Sequence, residues 1–361
     1  MPDSSPSDQA RALLTALARK TGPVTLMEVC GTHTVSIFRS GLRSLLPEGV
    51  KLLSGPGCPV CVTDQADIDQ ALSAAELANV TLCTYGDMIR VPGRGGSLRE
   101  AMGRGADVRI VMSPVDVIGL AQKQPEREFV FFAVGFETTT PQTALLLKEA
   151  SRLGVNNVSV LARHKRVMPA LELLANDTET GVNGFLLPGH VSTIIGLEPY
   201  RPLAEKYGIA CAVGGFEGEQ ILLAVASLLS QIAQKKPRVV NAYPSGVRND
   251  GNPAARALID ECFTPCASVW RGLGEIPASG LELKPAYARF DAQRKLGLKT
   301  FDSVPIPGCR CGDVLRGRIT PPDCPLFAHR CTPQEPVGPC MVSSEGSCGA
   351  WYRYGRSGGK L

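Results

Sequence analysis

The feature that most constrains the fold is a regular alternation of short apolar runs with helical patterns, which begins near residue 50. Nearly every run is followed by a turn rich in glycine and proline and then by a helical stretch. The runs are KLLS (51–54), VTLCTY (80–85), VRIVMS (108–113), FVFFAVG (129–135), VSVLA (158–162), GFLLPG (184–189), ACAVGG (210–215) and VVNAYP (239–244). Strands that alternate with helices form parallel sheets covered on both faces. The pattern therefore predicts an α/β fold with four strands on each side of about residue 154.

This pattern also predicts how the chain is divided. We expect two similar small α/β domains, at residues 49–154 and 155–262. Residues 1–48 hold a helix over 7–20, a strand-like run at 24–29 and a second helical pattern, and we expect this segment to pack with the C-terminal domain. Past residue 263 the alternation stops, and residues 263–361 form an irregular, cysteine-rich segment with little apolar periodicity. A covalent or metallic element is needed to organise such a segment.

Composition excludes several classes of protein. The chain has 361 residues, of which 44% are hydrophobic and 20% charged, and these fractions rule out general disorder. Its formal net charge of +4 is too small and too dispersed for a nucleic-acid-binding surface. The longest apolar stretch, residues 221–233, is too short and too polar to span a bilayer. The first residues of the sequence show no basic start, apolar core or cleavage site of a secretory signal. We therefore expect a cytoplasmic protein.

The thirteen cysteines are the unusual part of the composition. A cytoplasmic chain of this length does not need disulfides for stability, so cysteines in this number indicate metal or redox chemistry. Four of them occupy strand or helix contexts typical of buried thiols: Cys83, Cys211, Cys262 and Cys266.

The loops that follow the strands carry polar residues that can bind a ligand or take part in catalysis. Ligands of open parallel sheets bind beyond the carboxyl ends of the strands, so we expect these loops to face one cleft. They read CGTHT (30–34), GPGCPVC (55–61), YGDMIRVPG (85–93), GFETTTP (135–141), PGHVS (188–192), GGFEGE (214–219) and YPSGVRNDG (243–251).

Cys30 lies between a predicted strand and a predicted helix. A thiol at a helix N-terminus is near the positive end of the helix dipole, which favours the thiolate that binds metal or attacks an electrophile. His33, three residues later, can act as a base or a second ligand. The alternative is a buried structural cysteine.

Cys58 and Cys61 form a C-x-x-C motif in a turn that we expect to be rigid and exposed. By itself this motif is compatible with a redox disulfide, half of a zinc site or a soft-metal chelate. In the tail, Cys324, Cys331, Cys340 and Cys348 suit an iron–sulfur cluster, although their spacing matches no common ferredoxin pattern and zinc remains an alternative.

Taken together, these loops resemble one family, that of the hydrogenase maturation factor HypD. The matching stretches, which extend from about residue 24 to residue 355, are MEVCGTHT, SGPGCPVCVT, TYGDMIRVPG, GFETTTP, LLPGHVSTIIG, GGFEGEQIL, YPSGVRNDGN and GPCMVSSEGSC. The resemblance implies two Rossmann-like domains and a third domain that holds a [4Fe–4S] cluster. It implies a scaffold, with redox activity, for assembling the Fe(CN)₂CO group of [NiFe] hydrogenases together with a small HypC chaperone. HypE donates the cyanide-derived ligands, which HypF supplies upstream, and the hydrogenase large subunit is served indirectly.

The resemblance also implies roles for individual residues. Cys30, Cys58 and Cys61 are the cysteines associated with the iron being assembled, and we expect His33 and His190 near the same cleft. The implied cluster ligands are Cys324, Cys331, Cys340 and Cys348, with Cys309 or Cys311 as alternatives. We further expect Cys58 and Cys61 to cycle between dithiol and disulfide, or between disulfide and iron-bound thiolates, with electrons supplied by the cluster. The alternative is that they are only iron ligands and that the cluster is purely structural.

Two other functions remain open at this stage. One is a free-standing iron–sulfur thiol–disulfide oxidoreductase that acts on a protein partner. The other is a zinc-stabilised binding module without redox activity. A stable complex with a small HypC-like protein that carries cyanide and carbonyl infrared bands separates the scaffold from the oxidoreductase. Visible absorption typical of an iron–sulfur protein excludes the zinc module.

Overall fold

In the computed structural model, which describes residues 6–355, helices pack on two parallel sheets and one antiparallel hairpin. The strands are β1 (Val24–Glu28), β2 (Val50–Ser54), β3 (Val80–Thr84), β4 (Asp107–Ile110), β5 (Glu128–Gly135), β6 (Val158–His164), β7 (Gly184–Leu187), β8 (Ala210–Val213), β9 (Val239–Asn241), β10 (Phe263–Trp270) and β11 (Gly274–Leu283). The helices are α1 (Pro6–Thr21), α2 (Gly31–Arg39), α3 (Pro59–Val62), α4 (Gln65–Ala75), α5 (Leu98–Gly103), α6 (Asp116–Lys123), α7 (Thr140–Arg152), α8 (Val167–Ala175), α9 (Gly189–Ile195), α10 (Arg201–Glu205), α11 (Gly218–Gln234), α12 (Pro253–Cys262), α13 (Ala292–Lys295), α14 (Cys311–Leu315), α15 (Pro339–Val342) and α16 (Ser347–Tyr354). Every run predicted as a strand after residue 50 contains one, and the α/β fold class is confirmed.

The smaller sheet has four parallel strands in the order β4-β3-β5-β6. The side chains at residues 129–134 of β5 are at most 4% exposed, so this central strand is covered on both faces. A strand buried on both faces requires a continuous apolar run rather than an alternating one, which is the pattern of FVFFAVG.

The larger sheet has five parallel strands in the order β2-β1-β7-β8-β9, and it joins two distant parts of the chain. The predicted boundaries are therefore wrong for two strands. β2 pairs with β1 in the larger sheet, not with the strands of residues 80–135, and β6 pairs with β5 along residues 129–135. Local apolar pattern identifies a strand, but its partner depends on long-range packing that the pattern does not contain.

The N-terminal segment, which we expected to pack against the tail, contacts both the tail and the helix layer that covers the larger sheet. Helix α2 does pack against α16 of the tail, whereas α1 packs against α11, which covers the larger sheet. The buried Leu14 and Ala18 of α1 share a hydrophobic cluster with α11. Residues 6–54 are therefore an integral part of the larger sheet and its covering layer.

The antiparallel hairpin of β10 and β11 is an element that the sequence analysis did not identify. Its register extends from Phe263 opposite Leu283 to Trp270 opposite Gly274, with an irregularity between Cys266 and Ser268. That irregularity breaks the two-residue alternation by which a strand is recognised. Trp270, at the tip, is fully buried and stacks on Phe136 with ring centroids 5.8 Å apart. The tip of the hairpin thus packs on the loop that follows β5 of the smaller sheet.

The remainder of the described tail is irregular, as predicted, with short helices separated by loops. Of the six cysteines of residues 309–348, three lie in loops (Cys309, Cys324 and Cys331) and three in short helices (Cys311, Cys340 and Cys348). No helix within residues 6–355 is long and apolar enough to cross a membrane.

Candidate metal centre and thiol network

Cys30 is positioned by the end of β1 and the start of α2, as the sequence predicted. It is the N-cap residue of α2, with extended backbone. The loop at residues 55–57 lies directly against it, since Gly31 N–H donates to the Gly57 carbonyl at 3.1 Å. A Cβ on Gly57 would lie 2.2 Å from the Cys30 nitrogen, so only glycine permits this approach. The loop that carries Cys58 and Cys61 is therefore held beside Cys30.

This close approach gives the first prediction. Replacing Gly57 with alanine should lower the free energy of unfolding by about 1–3 kcal/mol, because backbone atoms at residues 29 and 30 must move to admit the methyl group. Urea denaturation of the two proteins measures the difference. Gly95→Ala is the matched control, because a Cβ there meets nothing within 4 Å. Equal stability of the Gly57 and Gly95 variants would contradict this packing.

The electrostatic environment of Cys30 differs from the prediction. Burial raises the pKa of the Cys30 thiol to about 12, and the nearby carboxylates of Glu28 and Glu345 act in the same direction. The backbone N–H of His33 lowers that pKa but does not offset burial. The expectation that the helix N-terminus alone favours a thiolate is therefore wrong for this structure, because desolvation outweighs the helix terminus. A cation or metal ion next to the sulfur would favour deprotonation of Cys30.

His33 and His190 both contact the ring of Phe216 but differ in environment. The Nε2 atom of His33 contacts the carbonyls of Gly214 and Gly215 at 3.2 and 2.9 Å, while its buried Nδ1 has no hydrogen-bond partner among the described residues. Burial lowers the pKa of His33 to about 4, so the ring is neutral. His190 is exposed and stacks on Phe216, with ring centroids 4.0 Å apart, and Phe216 also contacts the ring of His33. A neutral imidazole with a free nitrogen can act as a ligand, but His33 does not serve as a cation.

Two carboxylates and one aromatic ring at this cleft were not identified as site residues from the sequence. Glu28 is fully buried and accepts hydrogen bonds from the Cys30 N–H at 3.0 Å and from the Thr34 hydroxyl at 2.5 Å. Glu345 accepts from the Thr32 hydroxyl at 2.7 Å and thereby brings the tail to the Cys30 loop. The third residue that the sequence analysis did not identify is Phe216, which follows β8. All three lie inside the stretches that resemble the family, but the local sequence around a carboxylate or a ring does not indicate which residue it will contact.

Cys58 and Cys61 are buried, at 4% and 1% exposure, which corrects the expectation of an exposed turn. Cys58 is the N-cap of α3, and its sulfur accepts from the Cys61 N–H at 3.3 Å. The turn is covered because α3 packs against α15 of the tail. Burial raises the pKa of the Cys61 thiol well above its ordinary value, and a side-chain interaction with Cys340 opposes that rise.

The tail brings all six of its cysteines to one small pocket. The lining cysteines are Cys309, Cys311, Cys324, Cys331, Cys340 and Cys348. Cys311 and Cys340 are in direct contact, with their sulfur atoms 3.0 Å apart. Within residues 6–355, no three metal-ligating side chains are already arranged as a metal site.

These six cysteines act on one another through their charges, and they differ in their direct contacts. After burial, the charges that raise the pKa of Cys348 are those of Cys311, Cys309, Cys331 and Cys324. The charged neighbours of Cys340 are instead Cys61 and Cys348, and its sulfur bonds with Cys311. Cys340 thus faces both the C-x-x-C motif and Cys311, and a connected series of thiols runs from Cys58 to the tail pocket.

The other four cysteines stay away from this series. Cys83, Cys211 and Cys262 are buried within sheet and helix packing, while Cys266 is partly exposed. None of the thirteen cysteines is in a disulfide. The arrangement can therefore supply soft thiolate ligands to a metal at Cys30 and exchange electrons through neighbouring thiols.

Similar proteins are known over nearly the whole chain. The HypD family model, described as "Hydrogenase formation hypA family", matches residues 8–355. The hydrogenase maturation factor HypD of Azotobacter vinelandii is 43% identical over 361 residues, which cover 98% of this chain and 95% of that protein. The Escherichia coli protein of the same name is 44% identical over 333 residues, covering 92% and 89%. The hydrogenase expression/formation protein HupD of Azotobacter chroococcum is 43% identical over 361 residues, covering 98% and 95%.

Proposed function

The chain belongs to the HypD family of hydrogenase maturation factors, and from that membership we propose that it is the scaffold on which the Fe(CN)₂CO group of a [NiFe] hydrogenase is assembled. Family membership supports a role in hydrogenase maturation. The scaffold role, the redox activity and the named partners are the proposal.

The observation that carries the proposal is the contact between the Cys30 loop and the C-x-x-C loop. Gly57 packs on the backbone of Cys30, one residue before Cys58 begins α3. This contact supports a site in which three cysteines from two loops act together, with the neutral His33 close in sequence to Cys30. Low-spin iron that carries cyanide and carbonyl requires soft, electron-rich ligands, which thiolates provide.

Iron is the cargo in this proposal, and Cys30 is its principal ligand. Since the pKa of Cys30 is about 12, capture of iron must displace the thiol proton. Glu28 orients the loop by accepting from the Cys30 N–H and the Thr34 hydroxyl. Glu345 fixes the other side of the same loop through Thr32. These contacts fix the loop that carries Cys30 rather than supplying ligands themselves.

We further propose that a [4Fe–4S] cluster is held in the tail pocket by Cys309, Cys324, Cys331 and Cys348. The donor set fits, because four cysteines line one pocket and their charges act on one another. This set differs from the sequence-based one in taking Cys309 in place of Cys340, whose sulfur contacts Cys311 instead. When bound, the cluster would supply electrons one at a time. Cys311 and Cys340 are then placed to pass reducing equivalents toward Cys61 and Cys58.

The partners in this proposal are a small HypC-type chaperone and HypE, with HypF upstream of HypE. The hydrogenase large subunit receives the finished group indirectly. The proposal places the protein in the cytoplasm, because thirteen free cysteines are typical of a reducing compartment.

Co-purification tests the proposal. The chain is expressed with a HypC-type chaperone, HypE and HypF, and the isolated complex is examined by infrared spectroscopy and iron analysis. We expect a stable complex with the chaperone that holds iron beyond the cluster content and shows cyanide and carbonyl bands. A complex without those bands would overturn the scaffold role. An iron–sulfur thiol oxidoreductase, which the contact of Cys311 with Cys340 also favours, would then be the better account.

A further inference from the structure

Helix α16 connects a proposed cluster ligand to the helix that begins after Cys30. Cys348 is the second residue of α16, and Cys30 is the N-cap of α2. The two helices pack against each other. The proposed cluster pocket and the Cys30 loop are therefore linked by one pair of packed helices.

The contact between these helices begins beside Cys30. The Thr32 hydroxyl donates to Glu345 Oε1 at 2.7 Å, and Glu345 lies three residues before Cys348. A Cβ on Gly31 would lie 2.5 Å from the Cβ of Glu345 and 2.9 Å from its carbonyl oxygen, so the two chain segments approach closely here. The first turn of α2 is therefore packed directly on the residues that lead into α16.

Aromatic rings hold the rest of the two helices together. The rings of Phe38 and Trp351 meet edge to face, with centroids 5.2 Å apart. The guanidinium of Arg43 lies over both rings, 4.8 Å from the centroid of Phe38 and 5.1 Å from that of Trp351. Arg39 Nε donates to the Tyr354 hydroxyl at 3.1 Å. The interface thus extends to the last residue of each helix.

Both helices are too short to be stable without tertiary contacts. α2 has nine residues and α16 has eight, whereas isolated helices shorter than about 12–15 residues are marginal in water. A cluster bound to Cys348 anchors the N-terminal end of α16, because metal binding energy contributes to folding. Stabilising α16 in this way also stabilises the helix packed against it, since the coupling between two sites is reciprocal.

We propose that α16 couples the two metal-binding regions, so that binding of the cluster in the tail orders α2 and the Cys30 loop before iron is captured. The proposal rests on the cluster assigned to the tail under the proposed function. Its consequence is an order of assembly, in which the reaction class that builds an iron–sulfur cluster precedes delivery of the iron cargo. Trp351 is the positioning residue, because its ring joins α16 to Phe38 and Arg43.

Hydrogen exchange measured by mass spectrometry tests this coupling without an activity assay. The full-length protein is compared before and after anaerobic reconstitution with iron and sulfide, and cluster content is measured by visible absorption and iron analysis. We expect reconstitution to slow amide exchange in residues 31–39 roughly tenfold, within the usual range of couplings between sites. Exchange in residues 129–134 of β5 should not change.

Trp351→Ala should take up the cluster but lose this slowing, with exchange rates before and after reconstitution within about twofold of each other. Trp351→Phe, which keeps a ring, should retain it. Tyr287→Ala is the matched control, because it removes a partly buried ring whose hydroxyl donates to Glu261 of α12, and it should behave like the parent protein. Full slowing in Trp351→Ala would overturn the coupling, since an effect of iron bound directly at Cys30 persists in that variant.

A second measurement keeps the proposal testable if Trp351→Ala does not fold. Because the coupling is reciprocal, loosening α2 must weaken the cluster. Thr32→Val removes the hydroxyl that donates to Glu345, so this variant should release cluster iron to a chelator about fivefold faster. Thr21→Val, which removes a hydroxyl that donates to the Ala18 carbonyl of α1, should release iron at the parent rate.

Two results separate failure of the coupling from failure of the proposed function. A parent protein that takes up the cluster without slower exchange in residues 31–39, or equal iron release from the Thr32 and Thr21 variants, would overturn the coupling. A parent protein that takes up no cluster would instead overturn the tail cluster in the proposed function.

Discussion

Replacing Cys30 with alanine should abolish iron capture, with cyanide and carbonyl infrared bands reduced by at least about 100-fold in the complex with the HypC-type chaperone. Loss of a supporting residue around a metal typically costs 10–100-fold, and loss of a direct ligand costs more. The substitution removes only one sulfur atom from a residue that is 6% exposed, so the fold and the cluster content should be retained. Infrared spectroscopy of the isolated complex, together with iron analysis, measures both effects.

Cys211→Ala is the matched control for this experiment. Cys211 is fully buried in β8 of the same five-stranded sheet, and its thiol contacts the Ile209 carbonyl rather than the cleft. This variant should show infrared bands of normal intensity. If the Cys30 variant also shows normal bands, Cys30 is a structural cysteine and the scaffold proposal loses its principal ligand.

Serine substitutions in the tail should divide the six cysteines into two classes. Serine at Cys309, Cys324, Cys331 or Cys348 should lower iron and acid-labile sulfide by more than about half and destabilise the tail, because ligand loss removes binding energy that contributes to folding. Serine at Cys311 or Cys340 should leave the cluster in place and remove only the thiol–disulfide couple. Metal analysis and visible absorption of the six purified variants measure the division.

The decisive comparison is between Cys309→Ser and Cys340→Ser. The two residues line the same pocket, but the Cys340 sulfur lies 3.0 Å from the Cys311 sulfur, while Cys309 is affected by the charges of Cys311, Cys324 and Cys331. Loss of the cluster in the Cys340 variant and its retention in the Cys309 variant would contradict the assignment made from the structure. That result would restore the set of Cys324, Cys331, Cys340 and Cys348 expected from the sequence.

The cysteines show why the site could be predicted only in part. The sequence placed Cys30 between a strand and a helix, and the structure confirms that position. It could not predict the protonation state of the Cys30 thiol, because the pKa of Cys30 is raised by burial and by the charges of Glu28 and Glu345. Glu345 lies more than 300 residues away along the chain. Such a neighbour is visible only once the tail has packed on α2.

The same limit applies to the β10–β11 hairpin and to the C-x-x-C motif. The apolar pattern did not reveal the hairpin, so the stacking of Trp270 on Phe136 had no local signal. Cys58 and Cys61 occupy a turn rich in glycine and proline, a composition typical of exposed loops. Packing of α15 on α3 buries them, and that contact joins segments of the chain separated by more than 270 residues.

By itself the sequence determined the strands of the two parallel sheets, the α/β class, the irregular tail and the loops that carry the chemistry, because these follow from apolar periodicity and from residue types at turns. The tertiary structure decided which strands share a sheet, with β1 and β2 joining β7 rather than β3. It also decided which cysteines meet, since Cys61, Cys340 and Cys311 become neighbours only through the packing of the tail. The physical reason is that local pattern encodes which surface a residue buries, whereas the identity of its partner depends on contacts distant in sequence.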